Sequence, residues 1–241
     1  MIARARTATA MAFRDQRRRP LVLILLVIVP AYVITRSLAI TQATSRRIDL
    51  PGGVHITTTM KDMHGAVMAG TVIAFVAGFR AGEAIFARLA VLTAATALVV
   101  AVSAIVTAFN FTPASWPPLL AALVLIGLIY AALGALAGAL LEKLAATYLI
   151  LFLAITDLGI VQNPMFGNGA PGRWAVLLPG YGPARMMVDG AFSASFHTGS
   201  ALLAGVAWLA VLALSVNVAL RRAIGMHARR DTRATASAAP R

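Results

Sequence analysis

Long apolar runs separated by short polar connections make up most of this chain of 241 residues. A helix needs about 20 mainly apolar residues to cross the hydrocarbon core of a bilayer. Pro30 is expected to bend the first run, and Pro117 and Pro118 begin the fourth. The runs predict an all-α, polytopic membrane protein with six transmembrane helices: residues 20–40, 62–79, 86–109, 117–141, 144–162 and 199–220.

The composition supports a membrane location and excludes several kinds of site. Hydrophobic residues make up 60% of the chain and charged residues 12%, and the mean hydropathy of +0.84 exceeds that of soluble domains. Without cysteine there is no disulfide and no thiolate metal site. The four histidines lack the spacing that brings two onto one metal ion. The only lysines, Lys61 and Lys143, do not belong to a phosphate-binding G-x-x-x-x-G-K-[ST] loop, so a P-loop ATPase is excluded.

The net charge of +13 follows the pattern of membrane topology rather than that of a nucleic-acid surface. Basic residues cluster at the chain ends and beside apolar runs, without the interleaved aromatic residues that stack on bases. If the N-terminus is cytoplasmic, 15 of the 21 basic residues lie inside. Both termini are therefore predicted to be cytoplasmic. A cleaved signal peptide is a less favoured interpretation, because the first apolar run continues past Pro30 to Ile40.

This topology divides the chain into three parts. Residues 1–19 form a cytoplasmic N-terminal segment, in which an interfacial connecting helix is one interpretation and a topology signal alone is the other. Residues 20–221 form the transmembrane domain. Residues 222–241 are rich in Ala, Ser, Thr and Arg and predict a basic, disordered tail.

The connection between the last two predicted spans, residues 162–198, is unusually rich in Gly and Pro. Its breakers are expected to interrupt any continuous helix around Tyr181. The apolar stretches on both sides are too short to span a bilayer. We expect one or two short re-entrant helices on the outer side, and an ordinary outside loop resting on the membrane is the alternative.

Two features inside predicted spans are unusual for lipid-embedded helices. Asp157 is an ionisable residue in the fifth span, where such groups face the bundle interior, pair with a partner or line a watery path. A structural hydrogen bond near the outer interface explains it equally well. Gly134 and Gly138 form a G-x-x-x-G motif that allows helices to approach closely, within one chain or between subunits.

The connection between the second and third spans, GFRAGEAIFARLA, places charges beside apolar residues on the predicted inner side. Arg80, Glu83 and Arg88 are interleaved with Phe79, Ile85 and Phe86. Such a segment is suited to docking a partner. The alternative is a purely structural loop whose arginines only anchor the two helices at the membrane surface.

Taken together, these features resemble the membrane subunits of ABC-2 type transporters, which include bacterial exporters of the daunorubicin-permease kind. The resemblance runs from FRDQRRRP to RRAI and is most specific in TDLGIVQNPMF and RWAVLLPGYGPARMMVDGAF. The order of six helices, basic start, inside coupling loop and broken outer loop carries it.

The resemblance implies a permease of the bacterial inner membrane that exports a hydrophobic or amphipathic substrate such as a drug, an antibiotic or a lipid-like molecule. It implies two partners, separate ATPase subunits that bind ATP and Mg, and a second permease subunit, alike or related; this chain itself would bind no cofactor. By resemblance, coupling to the ATPase falls on Arg80, Gly82, Glu83 and Arg88. The outer gate falls on Asp157, Asn163, Pro164, Tyr181, Arg185 and Asp189.

Two other functions compete with this interpretation. An intramembrane enzyme would use Asp157 with His64 or His197 as acid and base, but the sequence contains neither a G-x-S-x-G nor an H-E-x-x-H motif. A proton-coupled secondary transporter would use Asp157, but it usually requires inverted repeats, and no convincing repeat is present.

Overall fold

The computed structural model describes residues 45–50, 54–83, 112–164 and 172–237. The predicted first and third spans, the N-terminal segment and Arg88 lie outside these ranges. The described elements, in chain order, are strands β1 (Ser45–Leu50) and β2 (Val54–Thr59), helices α1 (Met60–Glu83), α2 (Trp116–Leu140) and α3 (Lys143–Ala154), a π-helical turn (Ile155–Val161), a 3-10 turn (Arg173–Leu177), and helices α4 (Tyr181–Phe192) and α5 (Gly199–Ser237).

The two strands form an antiparallel hairpin that the all-α prediction lacks. Ile48 pairs with Ile56, and both side chains are buried against Met63 of α1 and Val188 of α4. The hairpin forms because apolar and polar residues alternate along both strands, which gives one face a core to cover. The structure thus contains a small sheet in the segment expected to be only an outside connection.

Helix α1 begins immediately after the hairpin and is longer than the predicted span of residues 62–79. The Thr59 hydroxyl accepts a hydrogen bond from the Asp62 backbone N–H and donates one to the Asp62 carboxylate. A Thr in this position satisfies a free N–H at the helix start. The strand therefore turns directly into the helix without a flexible linker.

Helices α1 and α2 approach each other through paired glycines. A Cβ atom added to Gly134 of α2 would lie 1.8 Å from the backbone oxygen of Gly78 in α1. Small residues permit such backbone contact, and in lipid this packing is what holds helices together. Gly134 therefore packs within the chain. Gly138, one turn later, is half-buried on the same helix.

The fifth predicted span consists of α3 and the π-helical turn that continues it to Val161. The last helix, α5, begins at Gly199 as predicted for the sixth span. It continues past residue 221 to Ser237, so the segment expected to be a disordered tail has helical backbone up to that point. Ala and Arg are frequent in this stretch and are good helix formers, which favours continuation.

Four described helical segments are long and apolar enough to cross a membrane. Their residues are buried to different degrees: 83% of the Lys61–Phe79 window is buried inside the molecule, against 17% of the Gly199–Ala219 window. Helix α1 is therefore central, and α5 presents most of its apolar surface outward. The four segments are Lys61–Phe79, Trp116–Leu140, Leu144–Val161 and Gly199–Ala219.

Candidate functional site

Helix α4 is a short helix between the last two spans, and it is buried along most of its length. All of the residues from Gly182 to Ala191 are buried. The breakers predicted around Tyr181 mark the helix start, because Pro183 lies in the first turn, where a proline removes no needed hydrogen bond. The helix packs on α1, α2 and α5. The segment expected to hold one or two short helices thus contains one, α4, and this helix is part of the core.

Two glycines let α4 lie directly against its neighbours. A Cβ on Gly182 would lie 2.3 Å from the backbone oxygen of Ala201 in α5. A Cβ on Gly190 would lie 2.5 Å from the backbone nitrogen of Leu119 in α2. Any side chain at either position would force the helices apart, so these contacts depend on glycine.

Asp157 holds the start of α4 and forms what we call the first anchor. Its side chain is buried in the π-helical turn. The Asp157 carboxylate accepts hydrogen bonds from the Tyr130 hydroxyl at 2.8 Å and from the Gly180 backbone N–H at 2.8 Å. The side-chain amide of Gln162 also donates to it at 3.2 Å. The first anchor therefore joins α2, the π-helical turn and the residue that precedes α4.

Gln162 extends this network to the 3-10 turn. Its Nε2 also donates to the backbone oxygen of Ala175 at 2.8 Å, while its Oε1 is buried and has no hydrogen-bond partner in the part of the chain that the structure describes. The next residue, Asn163, donates from Nδ2 to the backbone oxygen of Gly159, and the buried Pro164 follows in a turn. Polar side chains thus form the hydrogen bonds at the end of the π-helical turn that continues α3.

Asp189 forms the second anchor, at the other end of α4. Its Oδ2 accepts hydrogen bonds from the backbone N–H groups of His197 and Thr198 and from the Thr198 hydroxyl at 2.9 Å. These N–H groups belong to the residues that lead into α5, where unpaired donors need an acceptor. A carboxylate in this position is also favoured by the dipole of the following helix. The second anchor therefore ties α4 to the start of α5.

The side chains of Ser193, His197 and Asp189 lie together but do not have the geometry of a catalytic relay. The Ser193 Oγ and the Asp189 Oδ1 approach the same ring nitrogen of His197, Nδ1, at 3.2 Å and 3.4 Å. A relay requires the two partners to contact different nitrogens of the ring. The arrangement therefore favours a structural role for His197.

Backbone hydrogen bonds fasten the end of α4 to the start of α2. The N–H groups of Ala114 and Ser115 donate to the carbonyl oxygens of Ala191 and Gly190, each at 2.9 Å. Carbonyls in the last turn of a helix have no partner within that helix. Together with the two anchors, these bonds hold α4 at both ends.

Arg185 lies between the two anchors, in the middle of α4. Its side chain is buried, and its Nε and Nη1 atoms have no hydrogen-bond partner among the described residues. Burial lowers the pKa of the guanidinium, because the charged form loses its hydration, and Tyr181 one turn earlier partly opposes this shift. Arg185 is thus a buried cation whose Nε and Nη1 donors find no acceptor among the residues that the structure describes.

The other predicted site residues divide into two regions. The six outer-gate candidates lie in two neighbouring segments. Three are on α4, whose first residue is Tyr181, and three are in the π-helical turn or the residues directly after it. Arg80, Gly82 and Glu83 lie in the last turn of α1. Helix α1 contacts α4 where Gly70 meets Met187, about 20 Å from Glu83 along the helix. The two regions are therefore connected by one continuous helix.

Sequence reasoning missed several residues that form the anchors. Tyr130, Gln162 and Thr198 each contribute a hydrogen bond to a buried carboxylate. The one sequence signal that could have revealed them is Tyr130, a tyrosine within an otherwise apolar run, because a buried Tyr hydroxyl usually has a hydrogen-bond partner. Its pairing with a residue 27 positions away depends on how the helices pack, which the sequence pattern does not specify.

Comparisons with known proteins add no relative. No protein-family model, no curated protein and no solved structure matches the chain. Within the described ranges, no group of three or more His, Cys, Asp or Glu side chains is placed to hold a metal ion.

Proposed function

We propose that the chain is the membrane-spanning subunit of an exporter driven by ATP hydrolysis on separate ATPase subunits. It pairs with a second permease subunit and moves a hydrophobic or amphipathic substrate outward. Three observations support this proposal: the long apolar helices, the absence of a P-loop motif in the sequence, and the buried helix between the last two spans.

The attachment of α4 at both ends is the observation that carries the proposal. The first anchor ties α4 to α2 and to the π-helical turn after α3, and the second anchor ties α4 to α5. Buried hydrogen bonds to a carboxylate are among the stronger ones in proteins. Because α4 is attached at both ends, it must move when the membrane-spanning helices move. A gate that opens when those helices rearrange needs this property. In the proposed topology, α4 is a re-entrant helix on the outer side.

Helix α1 provides the connection between the gate and the ATPase. Its C-terminal end carries Glu83, next to the proposed coupling loop, and its middle contacts α4 and the π-helical turn at Gly70 and Thr71. A continuous buried helix transmits a displacement along its axis with little loss, since protein interiors are close-packed. A push on the inner end of α1 would therefore reach α4.

Purification with the partner ATPase tests this proposal. The tagged chain, extracted in a mild detergent from its own host, should co-purify with a P-loop ATPase, and the complex in proteoliposomes should couple ATP hydrolysis to outward transport. Glu83→Gln and Arg88→Gln should lower transport at least tenfold while ATPase binding is retained. Arg222→Gln, at an exposed position on α5, is the matched control and should transport normally. Recovery of the chain without any ATPase would refute the proposal, whereas coupled transport by both variants would show that the assignment of the coupling residues is wrong.

The same vesicles discriminate against the two competing functions. Transport by the chain alone, driven by a pH gradient and abolished by Asp157→Asn, would establish a proton-coupled transporter instead. Turnover of a substrate by the chain without transport would establish an enzyme. We expect neither activity, because the Asp157 carboxylate is engaged by three donors within the protein.

A further inference from the structure

The buried guanidinium of Arg185 lacks a counter-charge within the described part of the chain. A buried cation is costly unless it is paired and hydrogen-bonded. Nε carries one N–H and Nη1 carries two, so three donors lack an acceptor among the described residues. Asp189, one turn along the same helix, would ordinarily pair with Arg185. Its carboxylate instead accepts the donors at the start of α5.

Six of the other seven acidic residues are bound to partners, distant along a helix, or exposed. The chain contains eight acidic residues in all. Asp157 belongs to the first anchor, Asp49 contacts Arg47 and His55 in the hairpin, and Asp62 is bound to Thr59. Along their helices, Glu83 lies about 20 Å from the contact of α1 with α4, and Asp231 about 40 Å from the contact of α5 with α4. Glu142 is exposed before α3, and Asp15 lies outside the described residues.

The position of Arg185 next to the seam between α4 and α5 indicates where an outside ligand would lie. Gly182, three residues earlier and on the same side of α4, touches Gly205 of α5. Beside this contact, Val206 follows Gly205 on α5 and is 49% exposed. A charged group beside an apolar helix surface suits a molecule that has both an anionic head and an apolar tail.

We propose that Arg185 binds the anionic headgroup of an amphipathic molecule, a phosphate or carboxylate carried on an apolar tail that lies along α5. Oxygen atoms of such a headgroup would accept the free N–H donors, and guanidinium groups bind these two anions well. A small hydrated anion would lose its hydration on entering the same place, without an apolar tail to compensate. The inference concerns binding by this chain and does not require the export function.

Lipid-dependent stability of the purified full chain tests the proposal. The protein is measured in neutral detergent micelles that contain phosphatidylglycerol, phosphatidylcholine with the same acyl chains, or inorganic phosphate alone. The readouts are the thermal unfolding midpoint and the number of lipids retained in native mass spectrometry. Wild-type protein should be stabilised by phosphatidylglycerol more than by either other addition, and it should retain that lipid.

Three variants connect the effect to Arg185. Arg185→Gln should bind phosphatidylglycerol at least tenfold more weakly and lose the extra stabilisation. Arg173→Gln removes an exposed arginine from the same outer segment and should behave like wild type. Arg185→Lys keeps the charge without the planar fork and should bind with intermediate affinity, which provides a measurement if the Gln variant does not fold.

The outcomes separate the proposal from its rivals. Equal responses of wild type and Arg185→Gln to phosphatidylglycerol, or equal stabilisation by phosphatidylcholine, would overturn it. Stabilisation by inorganic phosphate alone would show a free-anion site and overturn the amphipathic part of the claim. No ATPase takes part in these measurements, so their failure would leave the proposed export function unaffected.

Discussion

Replacing Gly134 with alanine tests the close approach of α1 and α2. The added Cβ would lie 1.8 Å from the Gly78 backbone oxygen, 2.6 Å from its carbonyl carbon and 2.9 Å from its Cα. Ordinary van der Waals contact begins at 3.4 Å, so the two helices must separate by about 1.6 Å at this point. The clash is with backbone on the other helix, which no change of side-chain rotamer relieves.

The expected loss of stability follows from two opposing terms. Alanine is a better helix former than glycine and contributes up to about 1 kcal/mol. Overpacking costs about 1–3 kcal/mol, with rigid backbone contacts at the upper end. A gap of about 0.5–1 Å between packed atoms already forfeits a quarter to a half of their attraction. We therefore expect Gly134→Ala to lower the free energy of unfolding by about 2 kcal/mol.

Reversible unfolding in mixed micelles, followed by tryptophan fluorescence, measures this difference. Gly199→Ala is the matched control, because no atom lies within 4 Å of the Cβ position at this first residue of α5. Its free energy of unfolding should stay within about 0.5 kcal/mol of wild type. If Gly134→Ala unfolds like this control, the glycine contact between α1 and α2 does not exist as described.

Two further predictions concern the anchors of α4. Tyr130→Phe removes one donor from the first anchor and should lower the free energy of unfolding by about 1–2 kcal/mol in the same assay. Tyr148→Phe, at a side chain that is 63% exposed, is its control and should have little effect. Thr198→Val keeps the shape but removes the hydroxyl from the second anchor, and it should cost about 1 kcal/mol, whereas Thr57→Val on the exposed side of the hairpin should not. Equal stability of either variant and its control would argue against that anchor.

Element positions were predictable from the sequence wherever local signals are strong. The proline pair at the start of α2 placed that helix within one residue of its observed bounds, and the apolar run after Thr198 placed the start of α5 at Gly199. Proline is favoured in the first turn, and an uninterrupted apolar run of 20 or so residues has one simple structure in lipid.

Contacts between distant residues were not predictable in the same way. The sequence marked Asp157 as unusual but left open whether it faces the interior, a partner or a watery path, or forms a structural hydrogen bond near the outer interface. Two of its three donors come from α2 and from the residue before α4, and only the packing of helices brings them together. The hairpin was missed because its alternation is short and lies between two much stronger apolar runs. Arg185 was expected at a gate because of the resemblance. That its Nε and Nη1 atoms have no partner among the described residues depends on Asp189 binding the start of α5 instead.

The attachments of α4 impose an order on biosynthesis. Its bonding partners extend from Ala114, through Asp157, to Thr198, which directly precedes α5. Until the residues before α5 have been synthesised, the Asp189 carboxylate lacks its donors, the N–H groups of residues 197 and 198. Docking of α4 is therefore completed only after residues 197 and 198 have been synthesised, and truncation before residue 197 should leave this helix open to protease in the membrane.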